Sequence, residues 1–180
     1  MEFIYKQELW HDLFMLIGTS AGALVGLLFI VMSLHLDKIS RRSDVNMRAT
    51  IEGARNNTLH LLTVLAEAAV VLTPQPATFV GAELIVLNIL GLRLPLLFAY
   101  RYLNQNITIS HRGSFPTGLI LTVIATYILG IIAAVAVFMG TSWALYLVAA
   151  SCVIKIVRAV LTAWMLMFGI LEVRSSEPGR

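Results

Sequence analysis

Two rows of polar and ionisable residues at helical spacing are the first places where this sequence could do chemistry. Asn56, His60, Thr63 and Glu67 follow one another at intervals of four, three and four residues, and Ser151, Lys155, Arg158 and Thr162 repeat those intervals. A 3.6-residue period puts each row on one face of a helix. A third apolar stretch adds Glu83, Asn88 and Arg93. An ionisable group at the centre of a membrane helix costs about 2.5 to 3.5 kcal/mol even on the lenient insertion scale, so it faces a bundle interior or water rather than lipid.

Two chemistries fit such a set. Glu67, Glu83, Asn88, Arg93, Lys155 and Arg158 could line a path for ions or protons, with His60 able to titrate near neutral pH and join a relay. The same residues could instead form salt bridges that only fix packing, and His60 could be a hydrogen-bonded packing residue. At about 1.5 Å per residue, Glu67 and Glu83 each lie about 9 Å below the break between their helices, whereas Lys155 and Arg158 lie roughly 20 to 24 Å from the same end. The expected layering is acidic towards one face and basic towards the other. Two carboxylates at one depth need a proton, a partner cation or a wide aqueous cavity between them.

The elements that position these residues are apolar helices. Hydrophobic residues make up 58% of the 180 and charged residues only 13%, with a mean hydropathy of +0.84. A soluble core of this size would leave several apolar runs unburied, while a helix that satisfies its own backbone can face lipid. The reading is an all-α, polytopic transmembrane helical bundle forming one domain over 1–180, with five spans at about 10–36, 57–73, 77–100, 115–139 and 142–171. Asn56, Asn57, His60 and Glu67 dilute the second, so four spans plus a re-entrant segment is the alternative. The run Leu13 to Leu36 is too long for a cleaved signal and has no basic stretch before it, so it reads as a retained span.

Thr73-Pro74-Gln75-Pro76 and Gly140-Thr141 read as tight turns, and neither carries a basic residue. The loop after the first span holds Lys38, Arg41, Arg42, Arg48 and Arg55, and the next long loop Arg101 and Arg112. The positive-inside rule then puts the long loops and the C-terminus in the cytoplasm and the N-terminus outside, with Trp10 and Trp143 at the outer interface and Tyr100 and Tyr102 at the inner one. Residues 37–56 read as a cytoplasmic basic helical linker. Its Arg41, Arg42, Arg48 and Arg55 could hold anionic lipid headgroups or a nucleotide-like ligand, though topology alone accounts for these charges.

Gly18, Gly22 and Gly26 recur every fourth residue in the first span, and Gly118, Thr122, Thr126, Gly130 and Ala134 form a comparable row in the fourth. Such small-residue stripes let membrane helices approach closely, within one chain or between copies. Gly91 and Pro95 interrupt the third span and predict a kink there, either a hinge or a static bend. Cys152 is the single cysteine, so the chain can form neither an internal disulfide nor a cysteine-based metal cluster. No paired metal-ligand motif, nucleophile motif or Gly-rich phosphate loop is present. Catalysis is therefore not expected, and neither is a cofactor or a metal.

Trp10-His11-Asp12-Leu13-Phe14, followed by Gly18, Ala21-Gly22-Ala23-Leu24, Gly26-Leu27-Leu28-Phe29 and Ser33-Leu34, resembles the first span of small bacterial multi-pass membrane proteins, some of them described as modulators of the FtsH protease. The resemblance covers little more than that span. It implies a bacterial inner-membrane protein and assigns no functional residue.

The functional expectation is a small homo-oligomeric ion channel, joined through its glycine faces, controlled by the buried charges and gated by an anionic cytoplasmic ligand. A chain of this length has little room for two gates, but several copies around an axis can enclose a pore. The rivals are a non-conducting scaffold that binds another membrane protein, and a lipid or small-solute transporter with a midplane site around Glu83, Asn88 and Arg93.

Overall fold

The computed structural model describes residues 10–41, 45–104 and 117–175. They form five α-helices: α1 (His11–Arg41), α2 (Val45–Leu72), α3 (Ala77–Asn104), α4 (Thr117–Phe138) and α5 (Ala144–Ser175). Four contain stretches long and apolar enough to cross a membrane: His11–Ser33, Ala77–Leu97, Leu121–Phe138 and Ala144–Trp164. The protein is thus an integral membrane helical protein. Helix α2 is absent from that group because its polar residues depress its hydropathy, not because it is short; its 28 residues extend about 42 Å. Its first turns, from Val45 on, lie within the segment 37–56.

The breaks between helices fall where turn chemistry demands them. After α2 the chain leaves helix over Thr73–Pro76, and the Pro76 carbonyl accepts from the amides of Phe79 and Val80 to start α3. After α4, Gly140 takes φ = 70°. Its amide donates to the Val137 carbonyl at 2.8 Å, and the Thr141 amide donates to Ala136 at 3.1 Å. This is the Schellman pattern, in which a left-handed residue closes the helix and a residue without a Cβ adopts it at least cost. Pro95 sits inside α3, which continues through it to Asn104.

The helices pack mainly antiparallel. Along α3 and α4, Gly81 lies against Phe138, Gly130 against Asn88 and Gly91 against Tyr127, a constant antiparallel register. Helix α2 is the hub, touching α1, α3 and α5, and His60 also reaches Tyr127 of α4. The apolar core gathers at the end of the bundle that holds both tight turns. It comprises Phe14, Ile17 and Ala21 of α1, Val64, Ala68 and Val71 of α2, Val80 and Leu84 of α3, Ala133 to Val137 of α4 without Val135, and Ala144 to Cys152 of α5 on its inward face. Polar residues take over the interior below this layer.

Candidate functional site

The polar interior is built by α2, α3, α4 and α5. Its centre is Lys155, whose Nζ donates to Glu67 Oε1 at 2.6 Å and to Asn88 Oδ1 at 2.9 Å. Cys152, one turn earlier on α5, donates from Sγ to the other carboxylate oxygen at 3.2 Å. Lys155, Glu67, Asn88 and Cys152 are all 2% exposed or less. Asn88 is held in turn by its amide, which donates to the Leu84 carbonyl, so its oxygen is left facing the ammonium. The Lys155 Nζ also lies 4.9 Å from the centre of the Tyr127 ring, within the range of a cation–π contact.

A second group lies towards the other end. Tyr127 Oη and His60 Nδ1 are 2.8 Å apart, and their rings stack at 5.1 Å. Further down, Asn57 Nδ2 donates to the Ala159 carbonyl across α2 and α5. Ser151 donates at 3.4 Å to the Thr126 carbonyl, which joins α5 to α4. The buried charges Glu67 and Lys155 satisfy each other and draw further polar groups from α3 and α5, as a dry interior requires.

The expected layering of acids and bases does not hold for Glu67 and Lys155, which form an ion pair. Counting rise along each axis omitted the side chains. Every Cα–Cβ bond leans towards its helix's N-terminus. Since α2 and α5 are antiparallel, Glu67 and Lys155 lean towards each other and close the gap in depth. The pairing also answers the question of two like carboxylates at one level, because Glu67 has a cation and Glu83 lies elsewhere.

The predicted residues divide accordingly. His60, Glu67, Asn88 and Lys155 are gathered in the interior, with Arg158 half-buried beside them. Glu83 and Arg93 are exposed on the outer face of α3. Glu83 accepts a hydrogen bond at 3.0 Å from Gln75 in the turn above it. Gly18 packs closely, since a Cβ there would stand 3.3 Å from the Ala68 methyl, but Gly22 and Gly26 have nothing of this chain within 4 Å of that position. Gly130 faces Asn88 within the chain. Arg55 is exposed. Arg42 lies outside the described residues, as do the side-chain surroundings of Arg41, Arg48 and Gly118.

Sequence reasoning missed three participants. Tyr127 stands alone in an apolar span, and the signal was available, because a buried phenol needs a hydrogen-bond partner. Asn57 shows in the sequence only as a polar residue that dilutes its span. Cys152 lies three residues before Lys155, the spacing that puts both on one helix face. A shallow lateral cleft of about 240 Å³ opens between α2 and α3, walled by Leu59, Leu62, Leu87 and Leu90 and reaching Tyr127. Among the described residues, no three of His, Cys, Asp and Glu converge as metal ligands would.

Comparison with protein-family models, with curated proteins and with solved structures finds no match.

Proposed function

We propose that this chain is a five-span inner-membrane protein that assembles as a homo-oligomer and conducts ions along an axis lined by the outer face of α3. The observation that carries this reading is the exposure of Glu83 and Arg93 within a helix apolar enough to span. They share one face with Phe79, Val86, Leu90 and Leu97, all exposed. Charges on a lipid-facing surface are costly, whereas the same charges around a water-filled axis are solvated. Glu83 would ring one mouth, Arg93 the other, and Val86 with Leu90 would form an apolar constriction of the kind that gates by dewetting.

Conduction through a single protomer has less support, because the apolar core caps the polar interior at the turn end. The five-span count is supported by the surroundings of α2. Its Asn57, His60 and Glu67 are buried against other helices, while its exposed positions include Leu62, Leu65 and Ala69. A hydropathy average counts polar residues without regard to the side they face. With five spans the basic loops fall on one side, which supports an outer N-terminus and a cytoplasmic C-terminus. The open Gly22 and Gly26 positions on α1 suit contact with a neighbouring copy. Arg55 and the linker arginines suit anionic headgroups or an anionic ligand at the cytoplasmic end.

One observation favours the rival scaffold reading: the Lys155–Glu67–Asn88 knot is closed and satisfied, as a purely structural device would be. Selectivity separates the two. If the α3 face lines a pore, Glu83→Gln and Arg93→Gln shift cation against anion permeability in opposite directions in planar bilayers. Currents whose selectivity neither substitution moves would exclude α3 as the lining, and verified insertion without current would favour the scaffold.

A further inference from the structure

The lateral cleft between α2 and α3 has an apolar lining and one polar end. Leu59 and Leu62 of α2 face Leu87 and Leu90 of α3 across it, with Ala66 at one end and Asn56 at the other. Leu62 and Leu90 are exposed on its rim, while Tyr127 at its base is 1% exposed. Gly91 lets the base form, because a Cβ there would overlap the Tyr127 ring. The hydroxyls in the lining are already engaged. Thr63 Oγ1 donates to the Leu59 carbonyl at 2.9 Å, and Tyr127 Oη is bonded to His60. A held water needs two to four polar partners, so the stretch between Leu59 and Ala66 suits hydrocarbon rather than water.

The dimensions narrow the occupant. Along α2 the lining runs from Asn56 to Ala66, a rise of about 15 Å. That equals one leaflet of a hydrocarbon core about 30 Å thick. Spread over this length, about 240 Å³ is a slot about 4 Å across, too narrow for a helix of about 10 Å. A hydrocarbon chain, whose carbons pack at about 4 Å from their neighbours, fits it.

Charge identifies the end at which a headgroup would sit. Arg55, Leu59, Leu62 and Ala66 follow at intervals of four, three and four, which puts the arginine on the helix face that walls the cleft. Arg55 is exposed, and it precedes Asn56 at the polar end. We infer that the cleft is a binding site for an anionic glycerophospholipid of the cytoplasmic leaflet, with one acyl chain between α2 and α3 and the phosphate on Arg55. The site rests on the five-span reading, which makes α2 a span with Arg55 at its cytoplasmic end, and not on conduction. Leu90 also borders the α3 face that carries Glu83 and Arg93, and the cleft lies on the α2 side of it.

The test is native mass spectrometry of the purified full-length protein in detergent, titrated with phosphatidylglycerol and with phosphatidylcholine of the same acyl chains. Phosphatidylglycerol should bind about fivefold tighter, the contribution of one arginine to an anionic headgroup. Arg55→Gln should remove that preference, and Arg93→Gln should keep it. Ala66→Phe, which fills the cleft from its far end, should weaken both lipids at least tenfold; Leu62→Trp on the exposed rim provides a second block if the first variant fails to fold. Equal binding of the two lipids, or binding that survives both blocks, would overturn the site. So would a block that dissociates an oligomer and leaves lipid binding intact, since the cleft would then belong to a second copy. Thiol labelling of Arg55→Cys and of Thr73→Cys, each in a Cys152→Ser background, checks the span separately. Labelling from opposite sides supports α2 as a span, and labelling from one side would remove the basis of the site whatever the lipid titration gives.

Discussion

Replacing Glu67 by glutamine removes one charge at nearly constant volume and leaves a buried ammonium without its counter-ion. Lys155 would keep the Asn88 oxygen at 2.9 Å and the Tyr127 ring face at 4.9 Å but lose the carboxylate at 2.6 Å. Breaking a buried pair by deleting one member costs about 3 to 5 kcal/mol, because the survivor stays desolvated and uncompensated. The ring contact and the Asn88 bond are present before and after the substitution and cancel from the difference, which leaves a loss of about 3 to 5 kcal/mol. Lys155→Met added to Glu67→Gln removes the orphaned charge, and an apolar replacement of a buried pair is often neutral. The double variant should therefore recover most of the loss, and since Lys155→Met alone strands the carboxylate as Glu67→Gln strands the ammonium, the coupling energy in the double-mutant cycle should exceed about 3 kcal/mol. Equilibrium unfolding in mixed micelles measures all four corners. A single-variant loss below about 1 kcal/mol, or a double variant as unstable as the sum of the singles, would refute a desolvated pair at this position.

Gly81→Ala places a Cβ 2.5 Å from the Phe138 backbone nitrogen, and overpacking against a backbone should cost about 1 to 3 kcal/mol, read as a lower unfolding midpoint. Gly22→Ala, with open space around it, should leave monomer stability unchanged but weaken self-association if α1 packs between copies, as crosslinking or light scattering in detergent would detect. Tyr127→Phe deletes the hydroxyl bonded to His60 and should cost about 1 kcal/mol by the same unfolding assay.

What the sequence made legible was periodicity. The rows on α2 and α5 were readable because four-three-four spacing fixes a face without any knowledge of neighbours, and His60, Glu67, Ser151 and Lys155 are buried as that argument requires. Both tight turns were readable from proline and glycine, since these act on the local backbone. Pairing was less accessible. Lys155 meets Glu67 because antiparallel helices tilt their side chains towards each other, a property of two elements that neither helix displays alone. Glu83 and Arg93 were grouped with Asn88, yet only Asn88 turns inward; three polar residues at intervals of five do not define a face, so neighbouring helices decide. The partner of each glycine was equally hidden, because Gly18 and Gly22 look alike in sequence and only one meets α2.

The central claim is that the exposed charged face of α3 surrounds a conducting axis in an oligomer. Single-channel recording from purified protein in planar bilayers tests it most directly, with the oligomeric mass determined on the same preparation. The expected result is discrete currents from an assembly of several copies, with a reversal potential in a salt gradient that Glu83→Gln shifts towards anions. An assembly verified as inserted that passes no current, with and without anionic ligands at the cytoplasmic face, would contradict the channel and identify the bundle as a non-conducting partner protein.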